Sequence, residues 1–127
     1  DSLLPINNYA WSKLGGECAV QMLNDSLILR LSMTDYPFAY KKAIKNAYSS
    51  FIYNKDFAKI LPYLLNQRGI INIGGKRQSI FNFAKKNNSK IKGMKILKNA
   101  KFPMDSSLNT KKFEKILKKL KINKIND

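Results

Sequence analysis

The sequence has very little cysteine and no long apolar run. Its single cysteine, Cys18, cannot form a disulfide within the chain. The simplest interpretation is a reducing compartment, so we expect a cytoplasmic protein. The most apolar stretch, SLILRLS at 26–32, is short and contains Arg30, so no membrane-spanning segment is expected. The stretch DSLLPINN has neither a basic nor an apolar region of the kind found in signal peptides. No metal site is expected.

Acidic residues and arginine are also scarce. The chain has 24 basic and 8 acidic side chains, a net charge of +16, and only 3 of the basic ones are arginine. Residues 1–63 carry 7 basic and 5 acidic side chains, and residues 64–127 carry 17 and 3. A basic half can bind nucleic acid through its phosphates. However, 21 Lys, 14 Asn and 14 Ile are typical of an AT-rich genome. Compositional bias is therefore the favoured interpretation, and nucleic acid is not expected as a partner.

The pattern of apolar residues predicts one α/β domain. A chain of 127 residues with 44% hydrophobic residues can bury one core. Gly15 and Gly16 lie inside the first predicted helix and indicate close packing against another backbone, and Pro62 should kink a later helix or start a new one. The predicted elements are a helix at 9–23 capped by Asn7 or Asn8, a strand at 26–32 buried on both faces, a helix at 39–48, an extended segment at 49–54, a helix at 55–65 capped by Asn54, a strand at 69–75, a helix at 80–87 capped by Ser79, a strand at 90–98, and a helix at 111–121 capped by Asn109 or Thr110.

The segment NNYAWSK places Tyr9 and Lys13 four residues apart. With 6 Tyr and 21 Lys in 127 residues, about one such spacing is expected by chance, so the spacing alone carries no weight. In a helix the two side chains would share one face. A lysine near a phenol favours phenolate and lowers the tyrosine pKa from about 10. A phenol tuned in this way can exchange a proton with a substrate hydroxyl or carbonyl.

The surroundings of this pair resemble the extended short-chain dehydrogenase/reductase superfamily, which includes the NAD-dependent epimerases and dehydratases. The stretches NKDFAKIL and GIINIGGKRQSIFNFAKK are similar to later landmarks of these enzymes. PMDSSLNTKKFEKI is similar to the ending of the dTDP-4-dehydrorhamnose reductase group. These landmarks occur in the family's order over nearly the whole chain. The matching residues of the first landmark are Pro5, Tyr9, Ser12, Lys13, Leu14, Gly16 and Glu17, followed by Ile28, Leu29, Arg30 and Ser32.

The resemblance implies a role for each matched position. Tyr9 would be the general acid/base, and Lys13 would bind the nicotinamide ribose of NAD or NADP and lower the Tyr9 pKa. Ser32 would lie near the cofactor, and Met33 and Thr34 near the sugar. Lys76 and Arg77 would bind the diphosphate of a nucleotide sugar, although a solvated basic loop explains them equally well. The resemblance also implies a homo-oligomer formed through residues 9–23.

One family feature is missing from the sequence. The glycines, at 15, 16, 69, 74, 75 and 93, do not form the Gly-x-x-Gly-x-x-Gly turn that holds the cofactor pyrophosphate. We therefore interpret the chain as a C-terminal half that lacks the cofactor-binding half. Residues 1–34 would supply the catalytic helix and one Rossmann strand, and 35–127 the substrate-binding region.

On this interpretation the chain alone is expected to be inactive and to bind no cofactor tightly. The identity of the sugar, the choice between NAD and NADP, and the choice among reductase, epimerase and dehydratase stay open. The alternative function is a basic, non-enzymatic module that binds nucleic acid or an acidic partner.

Overall fold

The computed structural model describes residues 5–97 and 102–122. They form a mixed α/β fold with parallel strand pairs, as predicted. The elements in chain order are α1 (Asn8–Gln21), β1 (Leu27–Leu31), β2 (Met33–Thr34), β3 (Lys42–Ile44), β4 (Tyr48–Ser49), β5 (Ile52–Tyr53), α2 (Asn54–Leu64), β6 (Gly69–Ile73), β7 (Gln78–Ser79), α3 (Ile80–Lys85), β8 (Lys92–Met94) and α4 (Lys111–Lys119). The predicted strand 90–98 is found as β8, and residue 98 lies outside the described residues.

Two longer strands form the centre of the fold. β1 and β6 pair in parallel, with Leu29 opposite Ile71, and β2 continues beside β5 in the same parallel sense. The single Rossmann strand of the sequence interpretation therefore has a neighbour, β6, from the region assigned to substrate binding. β1 is half-buried along most of its length, not buried on both faces, because β6 is its one partner strand among the described residues.

The larger core lies between this strand pair and helices α2 and α4. Its fully buried side chains are Ile52, Ile60, Leu64, Ile71, Ile73 and Phe113. Helix α4 presents an apolar side to this core, since Phe113 is buried and Ile116 and Leu117 pack beside it, whereas Leu120 is exposed. α2 continues through Pro62 to Leu64 as one helix, so no second helix starts there.

Helix α4 also covers the outer side of β6. Lys112 Nζ donates to the carbonyl oxygens of Ile70, at 2.9 Å, and Arg68, at 3.4 Å. Gly69, at the start of β6, has a φ of +74°, a left-handed conformation that glycine adopts without a steric penalty. At the other end, a Cβ on Gly74 would lie 2.6 Å from the carbonyl oxygen of Ser50. Glycine is therefore favoured at both ends of β6, at Gly69 by its backbone conformation and at Gly74 by the close approach of Ser50.

A second, smaller core lies between β3, β8 and α3. It contains Phe38, Ala43, Ala47, Ile80, Ala84 and Ile91. The predicted helix at 39–48 is wrong, because Ala43 is in β3 and pairs with Gly93 of β8. Asn46 then fixes the loop by accepting from Ile96 N at 3.0 Å and donating to Ile96 O at 2.8 Å. These contacts span 50 residues, and they determine the local backbone in place of the predicted helix.

The helix caps follow local sequence signals. Asn7 caps α1 by accepting from Ala10 N at 2.8 Å, and Ser79 caps α3 by accepting from Asn82 N at 3.1 Å, as predicted. Asn54 is the first residue of α2 and not its cap, which is Tyr53. The α4 cap is Thr110, one of the two predicted residues.

Candidate functional site

The structure brings Tyr9 and Lys13 together on the first turns of α1. Lys13 Nζ lies 5.2 Å from the centroid of the Tyr9 ring, a cation–π geometry worth about 0.5–1 kcal/mol at an exposed site. The Tyr9 side chain is 71% exposed. A ligand could therefore reach the phenol directly. The one-turn spacing places both groups on the same face, as the sequence predicts.

An ion pair attaches α1 to the central strands. Arg30 of β1 donates through Nε and Nη2 to the two carboxylate oxygens of Glu17, with the Nε contact at 2.9 Å. Both side chains are largely shielded from solvent. The hydrogen bonds from Arg30 lower the pKa of Glu17, and those to Glu17 raise the pKa of Arg30. The sequence comparison matched these two residues separately, and the structure shows that they are partners.

The predicted cofactor and sugar residues at 32–34 follow β1 directly. The Ser32 side chain is 8% exposed, and its hydroxyl lies 2.9 Å from that of Ser49. Met33 and Thr34 form β2 and pair with Ile52 and Tyr53. The Ser32 hydroxyl is therefore held in the interior, and β2 lies beside β5, the strand that carries Tyr53.

Gly15 and Gly16 do not pack against another backbone within the described residues. A Cβ on either glycine would meet no atom within 4 Å. None of the residues of α1 is buried by the described part of the chain. The predicted close packing is therefore wrong for the chain by itself, because α1 lies on its surface.

Lys76 and Arg77 are adjacent in sequence but lie in different surroundings. Arg77 Nη2 lies 2.8 Å from the carboxylate of Asp105, and its guanidinium lies 4.2 Å from the centroid of the Tyr48 ring. Hydrogen bonds from Ser107, and then from Arg77, lower the pKa of Asp105. Lys76 instead lines a surface pocket.

This pocket has a volume of about 260 Å³. Its lining combines four aromatic rings, three lysines, two amides and one carboxylate. These residues are Tyr36, Phe51, Tyr53, Lys55, Asp56, Lys76, Gln78, Phe83, Lys86 and Asn87. They come from separate segments at residues 36, 51–56, 76–78 and 83–87. The sequence analysis identified Lys76 alone among them, because no spacing in the sequence marks residues that only the fold brings together.

The aromatic side chains of the pocket contact one another. The Tyr36 and Tyr53 rings meet edge to face with centroids 5.0 Å apart, and the Tyr53 and Phe83 centroids are 4.7 Å apart. Asn87 Nδ2 donates to the Tyr53 hydroxyl at 3.0 Å. Lys55 Nζ lies 3.1 Å from the Tyr36 centroid. The pocket thus offers flat apolar rings beside ammonium groups, which suits a ligand with a planar ring and an anionic group.

No three His, Cys, Asp or Glu side chains in the described ranges are grouped so that they could hold a metal ion. No helix within residues 5–97 and 102–122 is long and apolar enough to cross a membrane.

No protein-family model matches the sequence, and no curated protein matches it. Solved structures with a similar fold include two from bacteria and archaea. The crystal structure of a hypothetical dTDP-4-dehydrorhamnose reductase from Sulfolobus tokodaii has 33% sequence identity and a TM-score of 0.75, with 92% of this chain aligned to 50% of that chain. The dTDP-4-dehydrorhamnose reductase from Bacillus anthracis, in complex with NADP, has 20% identity and a TM-score of 0.70, with 87% of this chain aligned to 49% of that chain.

The second likeness shows a shared fold, and the first adds similarity in sequence. The chain spans about half the length of both proteins. Over nearly all of its own length it therefore matches one half of a dTDP-4-dehydrorhamnose reductase, which confirms the resemblance seen in the sequence and is consistent with a C-terminal fragment of that family.

Proposed function

We propose that this chain is the C-terminal part of an NAD(P)-dependent oxidoreductase that acts on a nucleotide sugar, and that its pocket binds the nucleotide diphosphate. The supporting observation is the presence of aromatic rings and three lysines in one pocket of a chain that is similar to a dTDP-4-dehydrorhamnose reductase. The ammonium groups of Lys55, Lys76 and Lys86 would attract the phosphates. The ring of Tyr36 or Phe51 would stack on the base.

The proposal assigns the proton-transfer step to α1. The Tyr9 phenol would donate its proton to the oxygen of a 4-keto sugar as that oxygen gains negative charge. Lys13 lies over the Tyr9 ring, where its positive charge would stabilise the phenolate that remains. The Glu17–Arg30 ion pair supports this role because it fixes α1 against β1. Among the catalytic forms that the sequence left open, the two similar proteins favour the reductase.

The described residues do not fit a whole nicotinamide cofactor. The N-termini of α1 and α3 are already capped by Asn7 and Ser79. Gly74 and Gly75 lie between β6 and α3, but they are not part of a Gly-x-x-Gly-x-x-Gly turn. The hydride would come from the cofactor in the complete enzyme, with Lys13 and Ser32 on the cofactor side. We therefore propose that the chain alone has no reductase activity.

We also propose that copies of the chain associate through residues 9–23. The support is the exposed apolar surface there, with Trp11 60% exposed and Met22 84% exposed. Exposed apolar patches of this kind commonly mark interaction sites.

A cytoplasmic location stays a prediction.

Calorimetric titration of the chain with dTDP tests the pocket. We expect saturable binding, and about a tenfold loss of affinity in Lys76→Ala, since a hydrogen bond to a charged group is worth about 1.5–3 kcal/mol. Lys115→Ala on α4 is the matched control, because it removes one exposed lysine outside the pocket. Equal affinities for the wild type, Lys76→Ala and Lys55→Ala would show that dTDP does not bind in this pocket.

A further inference from the structure

A short two-stranded ribbon carries an unusual concentration of positive charge. It consists of β3 and β8 with their flanking residues, and six exposed lysines lie on it: Lys41, Lys42, Lys45, Lys90, Lys92 and Lys95. Hydrogen bonds from Lys92 N to Lys41 O, at 3.2 Å, and from Lys45 N to Met94 O, at 2.8 Å, hold the two segments together. At about 3.3 Å per residue, the six lysines occupy about 15 Å. We call this surface the basic ribbon.

Carboxylates are absent from this part of the sequence. No acidic residue occurs between Asp35 and Asp56, or between Asp56 and Asp105. Within the described ranges the ion pairs of the chain involve Arg30, Lys59, Arg68 and Arg77, and none involves a lysine of the basic ribbon. The ammonium groups of the basic ribbon therefore have no carboxylate partner within the described ranges.

The lysines are also placed where they repel one another. Lys42 and Lys92 are direct partners in the parallel pair, and like charges directly opposite each other on a sheet are destabilising. A polyanion would relieve this repulsion, because its phosphates would neutralise the ammonium groups and release their counterions.

We propose that the basic ribbon binds single-stranded nucleic acid through its phosphates, independently of the nucleotide-sugar pocket. Tyr40 precedes the first two lysines, is 69% exposed, and is held edge to face against Phe38, with centroids 5.7 Å apart. An exposed ring held beside a positively charged surface can stack on an unpaired base. Lysine supplies point charges without the fork by which arginine recognises guanine, so the binding is independent of base sequence.

An anionic membrane is the less favoured ligand. The ribbon residues Ala43 and Ile91 are buried in the smaller core and cannot enter a bilayer. Of the large apolar side chains on β3 and β8, Met94 is 40% exposed, which is less than a membrane-binding face requires.

Fluorescence anisotropy with fluorescein-labelled dT15, measured from 50 to 300 mM NaCl, tests the proposal. We expect binding that weakens steeply with salt. The triple variant Lys42→Ala/Lys90→Ala/Lys92→Ala should lower the steepness of log Kd against log salt by about 2, at about 0.7 per phosphate contact. Tyr40→Ala should weaken binding about tenfold and leave that steepness unchanged.

The matched control is Lys115→Ala/Lys118→Ala/Lys119→Ala, which removes the same charge from the exposed side of α4. It should leave the salt dependence within about 0.5 of the wild type. Equal effects of the two triple variants would overturn the proposal, since binding would then follow net charge alone. Failure to bind dT15 at 50 mM NaCl would overturn it as well, as would binding to phosphatidylserine vesicles without binding to dT15. Circular dichroism of each variant establishes that it is folded.

Discussion

Asp105 holds Arg77 away from the pocket that its neighbour Lys76 lines. The Arg77 guanidinium lies between the Asp105 carboxylate, at 2.8 Å, and the Tyr48 ring, at 4.2 Å. The two residues that the sequence analysis treated as one diphosphate site therefore have different neighbours.

This difference predicts different effects of two substitutions on dTDP binding. Lys76→Ala should weaken binding about tenfold, because it removes a charge from the pocket. Arg77→Ala should change the dissociation constant less than about twofold, and it should lower the free energy of unfolding by no more than about 1 kcal/mol, since the pair is exposed. Calorimetry and urea unfolding provide the two measurements. A larger loss of affinity for Arg77→Ala would restore it as a ligand residue.

The Glu17–Arg30 ion pair predicts a pH-dependent stability. Arg30 lowers the pKa of Glu17 in the folded chain, so the pair stabilises the fold above the unfolded-state pKa of about 4.3. This contribution is lost as the pH falls through the lower, folded-state pKa. Glu17→Gln should cost about 1–2 kcal/mol at pH 7, since Arg30 is left partly buried without its partner.

Urea unfolding between pH 3 and pH 7 measures this effect. The difference in free energy between the wild type and Glu17→Gln should shrink as the pH falls below about 4. Glu114→Gln is the control, because the Glu114 carboxylate is exposed and accepts from the neutral Thr110 hydroxyl at 2.7 Å. A difference that stays constant over this range would mean that Glu17 acts through packing and not through its charge.

The acid/base role of Tyr9 is testable in a protein in which this chain is joined to a cofactor-binding half. Tyr9→Phe keeps the ring and removes the proton, so kcat should fall by about 10²–10⁴. Tyr63→Phe makes the same change at another exposed tyrosine, on α2, and should leave kcat unchanged. Steady-state kinetics with a dTDP-4-keto sugar separates the two variants. More than about a tenth of the wild-type turnover in Tyr9→Phe would exclude the assigned role.

Cofactor binding by the chain alone should be weak. NADPH fluorescence should show no saturation in the low micromolar range, because no glycine-rich turn is present to hold the pyrophosphate. Saturation in that range would require a different cofactor site.

Association through α1 is testable at its two glycines. A methyl group at Gly15 or Gly16 meets nothing within 4 Å in the described chain. The double variant Gly15→Ala/Gly16→Ala should therefore stabilise the isolated helix, by up to about 1 kcal/mol per glycine. If copies associate with close contact at these glycines, the same variant should weaken association in sedimentation experiments, and the emission of the only tryptophan, Trp11, should shift toward that of exposed indole. An unchanged association constant would place the interface elsewhere.

Local signals in the sequence predicted the parts of the fold that depend on near neighbours. Asn7 and Ser79 cap helices within three residues of themselves, and a capping signal is contained in that interval. The helix predicted at 39–48 failed because Asn46 and Ile96, 50 residues apart, decide the local backbone.

The contacts of the candidate site also divide into local ones, which the sequence predicts, and long-range ones, which it does not. The Tyr9–Lys13 contact follows from helical spacing, whereas Glu17 and Arg30 meet only after a turn and a strand have formed. The rings of Tyr36, Tyr53 and Phe83 come together only in the folded chain, so no spacing in the sequence predicts the pocket.

The contact of Lys112 with the carbonyl oxygens of Arg68 and Ile70 makes the two edges of the central strand pair different. The edge of β6 is contacted by the charged side chain of Lys112. Charged side chains at a sheet edge are a common protection against edge-to-edge aggregation. The opposite edge is formed by β1, which pairs with no strand other than β6 among the described residues. An additional strand can therefore pair with β1, whereas the N-terminal end of the β6 edge is covered by Lys112 of α4.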